Sequence, residues 1–293
     1  MLYRQRALLA ILQQVGGQAS SIQMMKWAFL LGQETPSHGG KTFYHFIPYH
    51  FGPYSFTISR EANKLVQNGF IDKNEKTDKK TWKLTTLGYE HLVNLPQQIS
   101  QDIAAIVQQY GTFSSSDLIE SVYARYPWFT VNSDLIEKRQ RKRPIADPAI
   151  YTAGYEGKTV DAFLNLLMRS GIRRVIDVRY NPISRRYGFH KSTLNRLCSY
   201  LEIDYQHLPG LGIPGSARTV LGSENSYLAL FKEYRCGLTN RQEDLATAIS
   251  LTKSAPSALV CMEANPDFCH RNVLAQHLSN TTALPIKHLG YDA

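Results

Sequence analysis

Cysteine is scarce in this chain of 293 residues, which contains four. Disulfide-built secreted proteins are much richer in cysteine, so we expect reduced thiols and a cytoplasmic protein. Apolar runs are short: none approaches the roughly 20 residues that cross a bilayer, and Gln13 and Gln14 interrupt the first of them. We therefore expect no signal peptide, no membrane anchor and no membrane partner.

Acidic residues are also fewer than basic ones, 24 against 33, which gives a net charge of +9. With 43% apolar and 19% charged residues, the composition excludes intrinsic disorder and a coiled coil, and the length suits two domains of about 150 residues. The positive excess is larger before residue 146. It favours a polyanionic partner such as nucleic acid, although a general solubility surface has the same bias.

Residues 1–95 have the pattern of a winged helix-turn-helix domain. Apolar residues recur at helical spacing from Leu8 to Val15, and Ser20 and Ser21 provide an N-cap for a second helix. A third helix, SREANKLVQNGF, precedes two strand-like runs, FIDKN and TWKLTTLG, joined by the turn EKTDKK. This order predicts a DNA-reading helix beside a basic hairpin with five phosphate-contacting lysines: Lys73, Lys76, Lys79, Lys80 and Lys83.

Within this region, PYHFGPYS with a downstream LVQNG resembles the Panacea-like antitoxin and YwgA-like winged-helix domains of bacterial toxin–antitoxin and defence systems. The resemblance implies nucleic-acid binding, with DNA preferred to RNA. A winged helix that contacts only protein is the alternative. The aromatic residues of the segment are interpreted as core: Tyr44, Phe46, Tyr49, Phe51, Tyr54 and Phe56.

Residues 96–145 are predicted to form a helical, basic connector. Helical patterns around 99–109 and 116–126 are followed by the run EKRQRKRP, and two prolines then precede a new apolar pattern. The run can follow phosphates or be an ordinary solvated linker. Its basic residues are Lys138, Arg139, Arg141, Lys142 and Arg143.

Residues 146–293 alternate strand-like and helix-like segments, which predicts an α/β domain with an open, mostly parallel sheet of about five strands and flanking helices. The predicted strands are AIYTAG, RRVIDVR, IDYQHLP, SALVCME and PIKHLG. Ligands bind at the carboxyl ends of such strands. Three loops place candidate residues there: Tyr155, Glu156, Asp177, Arg179, Ser184, Arg185, Cys261, Glu263, Cys269, His270 and Arg271.

The motifs GYEG, DVRYNPISRRYGFHKSTL, LPGLGIPGS and CMEANPDFCHR follow one another in this order. Together they resemble the family catalogued as domain of unknown function 488, over residues 150–290. The resemblance implies that the candidate residues occupy the family's characteristic positions. It implies no particular reaction.

The first hypothesis for this domain is an anion site. Arginine makes planar, bidentate contacts with phosphate, and a serine hydroxyl adds a donor. The residues expected to bind the ligand are Tyr155, Arg179, Ser184, Arg185 and Arg271. The alternative is that Asp177 and Arg179 form an internal ion pair.

Two carboxylates, Glu156 and Glu263, are candidates for an acid–base pair, with Cys269 and His270 as further candidate catalytic groups. Asp267 is expected to cap the last helix, so that Cys269 and His270 lie in its first turn, where a thiolate or phosphate is stabilised. Alternatively, Glu263 is a structural partner of Arg271, and Cys261 is a small buried apolar residue.

These patterns predict a nucleic-acid-binding protein whose α/β domain binds or acts on a nucleotide or nucleic acid, as a hydrolase, such as a glycosidase, or a transferase. The alternatives are a non-enzymatic regulator that senses a nucleotide, and rhodanese-like thiol chemistry at Cys269. We expect no cofactor. Zinc on Cys261, Cys269 and His270, with His277 or His288, is disfavoured because C-x7-C-H lacks the close cysteine pair of zinc motifs.

Overall fold

The chain forms two compact units, residues 1–142 and 143–293. Among the described residues, every helix is too short or too polar to span a bilayer. The computed structural model describes residues 1–74, 80–91, 95–137, 142–218 and 224–291.

The first unit is mainly helical, with a small antiparallel sheet in the order β1-β5-β4 and a separate hairpin, β2–β3. Its elements are α1 (Tyr3–Gln14), β1 (Gln18–Ser20), α2 (Ser21–Glu34), β2 (Ile47–Tyr49), β3 (Gly52–Tyr54), α3 (Phe56–Gln67), β4 (Ile71–Asn74), β5 (Thr81–Leu84), α4 (Thr86–Glu90), α5 (Gln97–Tyr110) and α6 (Ser115–Arg125).

Side-chain caps fix where the helices of this unit begin. Ser20 caps α2 as predicted, and Gln23 completes a capping box with it. The start predicted for α3 is wrong, because Ser55 caps the helix and Phe56 begins it. Within α3, Leu65 is buried, whereas its neighbour Val66 is exposed.

Helices α5 and α6 lie in the region predicted as a connector, but they belong to the first unit. Ile103 and Ile106 of α5, and Leu118 and Val122 of α6, are buried in the same core as α1 and α2. The aromatic segment before α3 is partly core: Tyr44, Phe46 and Phe56 are buried, and Tyr49 and Tyr54 are half-buried. Phe51 was wrongly assigned to the core, since it is 43% exposed at the turn of the β2–β3 hairpin.

The second unit is an α/β domain whose five parallel strands confirm the predicted fold class. The order across the sheet is β10-β6-β9-β7-β8. Helix α9 lies in a stretch for which the sequence predicts no element. The elements are β6 (Ile150–Gly154), α7 (Val160–Arg169), β7 (Arg174–Asp177), α8 (Lys191–Ser199), β8 (Asp204–His207), α9 (Glu224–Gly237), α10 (Gln242–Ser254), β9 (Ser257–Cys261), α11 (His270–Thr282) and β10 (Ile286–Leu289).

Strand β9 lies at the centre of the sheet, between β6 and β7. Gly154 of β6 pairs with Cys261 of β9, and Asp177 of β7 pairs with Val260, so the three strands end at nearly the same level. The loops that follow them therefore meet at one edge of the sheet. This is the edge at which parallel α/β sheets bind ligands.

Candidate functional site at the carboxyl edge of the sheet

The end of β7 carries a buried ion pair between Asp177 and Arg179. The Arg179 Nε donates to Asp177 Oδ1 at 2.8 Å, and its Nη2 donates to Oδ2 at 2.5 Å. The remaining Nη1 donates to the Tyr155 hydroxyl and to the Phe189 carbonyl oxygen. Arg179 is 6% exposed and Asp177 is fully buried. The guanidinium therefore makes four hydrogen bonds to protein groups.

Two tyrosines complete this network. The Tyr155 ring stacks on Phe189 with the ring centroids 4.1 Å apart, and it is buried, so it does not offer a face for stacking a base. The Tyr205 hydroxyl of β8 donates to Asp177 Oδ2 at 2.6 Å. Tyr205 was not among the predicted site residues, because nothing in the run IDYQHLP reveals which carboxylate its hydroxyl will reach.

The end of β9 carries two thiols, a carboxylate and an imidazole, which we call the Cys–His–Glu cluster: Cys261, Glu263, Cys269 and His270. The Cys261 and Cys269 thiols both donate to Glu263 Oε2, at 3.1 and 3.0 Å. Cys261 Sγ is 3.8 Å from His270 Nδ1, and the two sulfurs and a nitrogen of His270 lie within 4.8 Å of one another. Cys261, Cys269 and His270 are each 1% exposed, whereas Glu263 is half-buried.

The orientation of His270 is fixed from the other side of its ring. Its Nε2 lies 3.0 Å from the Val178 carbonyl oxygen, beyond the end of β7. Because a carbonyl oxygen only accepts, Nε2 carries the hydrogen, and a neutral ring then presents the lone pair of Nδ1 to the Cys261 sulfur. The neighbouring strand thus selects the tautomer.

The start of the last helix differs from the prediction. Asn265, rather than Asp267, is the capping residue: its side chain accepts from the Asp267 amide and begins a short 3-10 turn, Pro266–Phe268. Helix α11 begins only at His270, with Cys269 as its N-cap. Proline suits the first position of a helical turn, and Pro266 therefore starts this short turn four residues before α11 begins.

The pKa values of the two thiols are shifted in opposite directions. Burial, followed by the contact with Cys261, raises the pKa of the Cys269 thiol well above its ordinary value. A hydrogen bond from Cys269 holds the pKa of Cys261 well below its ordinary value, against the effect of its own burial.

Arg271 and Glu156 hold the loop after β9 in place. The buried Arg271 guanidinium donates to the carbonyl oxygens of Glu263 and Ala264, at 2.5 and 2.9 Å, and Glu156 Oε2 accepts from the Ala264 amide at 3.0 Å. Gly154 leaves room for this loop, since a Cβ there would lie 1.8 Å from the Glu263 carbonyl oxygen. Two of the three arginines expected to bind phosphate, Arg179 and Arg271, thus bind protein groups instead.

The loop after β7 holds the more accessible candidates. Arg185 is exposed, and the Ser184 hydroxyl accepts from the Arg186 amide at 3.1 Å. Tyr180 is 51% exposed and borders a cavity of about 500 Å³ that is also lined by Gly210, Arg241 and Asp244. This volume falls within the range of ordinary small-molecule sites. Arg241 was missed because its partners, the Gly212 carbonyl and the Tyr234 ring, lie in the stretch before α10.

The basic residues predicted to bind nucleic acid fall into three groups: some are exposed, some bond protein groups, and some lie outside the described residues. Lys80 and Lys83 are exposed on the β4–β5 hairpin, and the Lys73 ammonium donates to Asn63 on α3. Lys142 is exposed, whereas Arg143 donates to the carbonyl oxygens of Leu201 and Ile172, so its role is to anchor the chain. The remaining predicted residues lie outside the described part of the chain: Lys76, Lys79, Arg139 and Arg141.

With this geometry established, comparison with protein families identifies the second unit. Residues 159–278 match the family described as domain of unknown function DUF488. The chain therefore carries a DUF488 domain, as its motifs predict, over a shorter range than the predicted 150–290. No curated protein and no solved structure gives a match.

Proposed function

We propose that this is a nucleic-acid-binding protein whose DUF488 domain binds a phosphate-bearing ligand, a nucleotide or a nucleic acid, and acts on it as a hydrolase or transferase. The observation that carries the proposal is the exposed Glu156 carboxylate, which reaches the loop after β9 at the carboxyl edge of the sheet. Glu156 lies in the loop after β6, and its carboxylate accepts from the backbone amide directly after Glu263, which follows β9. A carboxylate held in this way can act as a general acid or base on a bound ligand.

The groups available to hold the ligand differ from the three arginines expected from sequence. Arg185 and Tyr180 are exposed on the loop after β7, and Tyr180 borders the cavity that also contains Arg241. An exposed tyrosine ring can stack on a base, and guanidinium groups suit phosphate oxygens. Lys158 is half-buried near Glu156 and Arg271, and burial, followed by the charge of Arg271, lowers its pKa.

The test of catalysis is to incubate the full chain with single- and double-stranded DNA and RNA oligonucleotides, carrying normal and modified bases, and with free nucleotides. Mass spectrometry of the products identifies the bond that breaks. Glu156→Gln keeps an oxygen for the Ala264 amide and removes the charge, so it should bind substrate and lose turnover. Glu233→Gln, on the exposed face of α9, is the matched control and should remain active.

Intact substrates with every preparation would contradict the enzymatic part of the proposal. If the oligonucleotides nevertheless bind, the results favour the alternative function, a non-enzymatic regulator that senses a nucleotide. Loss of a base or a cut backbone in the wild type, absent in Glu156→Gln and present in Glu233→Gln, is the expected result.

The first unit supports the nucleic-acid-binding part of the proposal. Its strand order β1-β5-β4, with three helices before the β4–β5 hairpin, is the arrangement expected of a winged helix, and α3 exposes Asn63, Lys64 and Gln67. A helix with polar, basic residues on its outer face can enter the major groove while the hairpin contacts the backbone.

Replacing both Lys80 and Lys83 with alanine should weaken DNA binding about equally for all sequences. It should also reduce the slope of log affinity against log salt by about 2, because each phosphate contact contributes roughly one released counterion. The control replaces two exposed lysines of the second unit, Lys232 and Lys253. Fluorescence anisotropy over a salt series measures both the affinity and the slope. Equal slopes in the two double variants would show that the β4–β5 hairpin does not contact the DNA phosphates.

A further inference from the structure

We propose that the Cys–His–Glu cluster is a zinc site, in which Zn²⁺ is bound by Cys261 Sγ, Cys269 Sγ and His270 Nδ1, with the Glu263 carboxylate as the fourth ligand. The inference does not depend on the proposed function. Zinc in proteins prefers four ligands drawn from thiolate, imidazole and carboxylate, in tetrahedral geometry.

The four donor atoms already converge. Glu263 Oε2 lies 3.1 Å from one sulfur and 3.0 Å from the other, Cys261 Sγ lies 3.8 Å from His270 Nδ1, and the two sulfurs and a His270 nitrogen fall within 4.8 Å of one another. Two sulfurs at about 2.3 Å and a nitrogen at about 2.0 Å from one ion are separated from each other by similar distances. Small side-chain rotations therefore suffice to surround an ion.

The spacing along the chain does not argue against this site once the fold is known. C-x7-C-H lacks the close cysteine pair of zinc motifs, but here one cysteine ends a central strand and the other caps the following helix. The short turn Pro266–Phe268 brings the second cysteine back over the end of β9. The fourth ligand is Glu263, from the loop itself, rather than His288, whose Nδ1 bonds Thr152 Oγ1.

The surroundings hold the ligands in the orientation that a metal requires. His270 donates its Nε2 hydrogen to the Val178 carbonyl oxygen, which is the usual outer contact of a zinc-binding histidine. Arg271 fixes the carbonyls of Glu263 and Ala264, and thereby the loop that carries the fourth ligand. These contacts come from β7 and α11, so the site is assembled by the sheet as a whole.

The chemistry of the Cys–His–Glu cluster also favours a metal cation. Two sulfur ligands and an imidazole select zinc over the oxygen-preferring ions magnesium and calcium. Binding requires both thiols to be deprotonated, so zinc displaces their protons into solvent, and its two positive charges offset those of the two thiolates. Glu263 would then be occupied as a ligand, and Glu156 would be left as the acid–base group of the proposed reaction.

The test is metal content and cobalt substitution, neither of which depends on any catalytic activity. The full chain, reduced and without a histidine tag, is passed over a weak chelating resin and analysed by mass spectrometry for metals. We expect one equivalent of zinc per chain. After zinc removal, Co²⁺ should bind with the strong thiolate-to-cobalt charge-transfer absorption of a tetrahedral site, with release of protons.

Cys269→Ser and Cys261→Ser should each lose more affinity than the about 10- to 100-fold typical of removing an outer contact of a metal ligand. Glu263→Gln, which is half-buried and more tolerant of change, should bind more weakly but keep the thiolate absorption. Two matched controls should retain the metal: Cys198→Ser for a buried cysteine elsewhere, and Cys236→Ser for an exposed one.

Circular dichroism shows whether each variant folds, and Glu263→Gln keeps the test decisive if a cysteine variant does not. Wild-type protein that retains no zinc and gives no thiolate-to-cobalt absorption would overturn the proposal. Loss of the metal with Cys236→Ser would overturn it too, since the ion would then be bound at the surface. Failure of the oligonucleotide experiment has no bearing on either readout.

Discussion

The ends of strands β7 and β9 lie side by side in one sheet, yet they use their buried polar groups in opposite ways. At β7, Asp177 and Arg179 neutralise each other, and two tyrosine hydroxyls and a carbonyl occupy the remaining positions. At β9, two sulfurs, a nitrogen and a carboxylate oxygen point toward one place. At β7 the two charges are paired with each other. At β9 the neighbouring side chains are ones that can act together as metal ligands.

This difference shows that residue type alone does not separate a binding group from a supporting one. The arginines suggested phosphate, but the two best placed for it support the loops around the site. Cys261 could be interpreted as a small buried packing residue, yet its sulfur lies beside Cys269, His270 and Glu263. The comparison can be tested by perturbing each strand end separately.

The largest effect is expected at the end of β7. Arg179→Ala leaves the buried Asp177 without its partner and should reduce the free energy of unfolding by about 3–5 kcal/mol. Chemical denaturation measures the loss. Arg185→Ala, in the same loop but exposed, should change stability by less than about 0.5 kcal/mol. Equal losses in the two variants would contradict the distinction between the supporting and the accessible arginine.

A smaller effect is expected at the end of β9. The Cβ of Gly154→Ala would lie 1.8 Å from the Glu263 carbonyl oxygen, so the loop must move, at about 1–3 kcal/mol. Because Glu263 moves with it, cobalt binding should also weaken. Gly237→Ala is the control, since a Cβ there meets nothing within 4 Å. Unchanged cobalt affinity in Gly154→Ala would show that this loop does not position a ligand.

The smallest effect concerns a buried cation paired with a carbonyl rather than a carboxylate. Burial lowers the pKa of Lys26 in α2 to about 7, and its ammonium donates to the Pro53 carbonyl oxygen at 3.2 Å. Since the folded state loses this proton at lower pH than the unfolded state, stability should rise with pH above 7, by about 1 kcal/mol between pH 7 and 8. Lys26→Met should abolish that part of the rise.

Thermal unfolding at several pH values, with wild type and Lys26→Met compared at each, isolates the contribution of this lysine. The exposed Lys64→Met serves as the control for removing a charge. A rise that persists unchanged in Lys26→Met would assign it to another group. The result measures how well a carbonyl oxygen stabilises the buried charge of Lys26. It can be compared with Arg179, whose buried charge is paired with the Asp177 carboxylate.

The sequence predicts the second unit's sheet well, because each strand is a short apolar run bounded by turn residues and each crossover contains a periodic helix. It predicts less of the site. His270 meets Val178 because β7 and β9 are neighbours in the sheet, and this strand order is not encoded in any local pattern. Cys261 meets Cys269 because the short turn Pro266–Phe268 folds the chain back over the end of β9. The hairpin Ile47–Tyr54 was likewise missed, since its three-residue strands are too short for a clear alternation.

The anchoring of Arg143 has a consequence for dividing the chain into fragments. Its guanidinium bonds the Leu201 and Ile172 carbonyl oxygens, and the Ala146 amide bonds Gly171, so residues 143–146 are folded onto the second unit. A fragment that starts at residue 147 would lose these three hydrogen bonds. A fragment that starts at residue 142 keeps the hydrogen bonds of Arg143 and Ala146, and is therefore the better fragment with which to crystallise the domain alone.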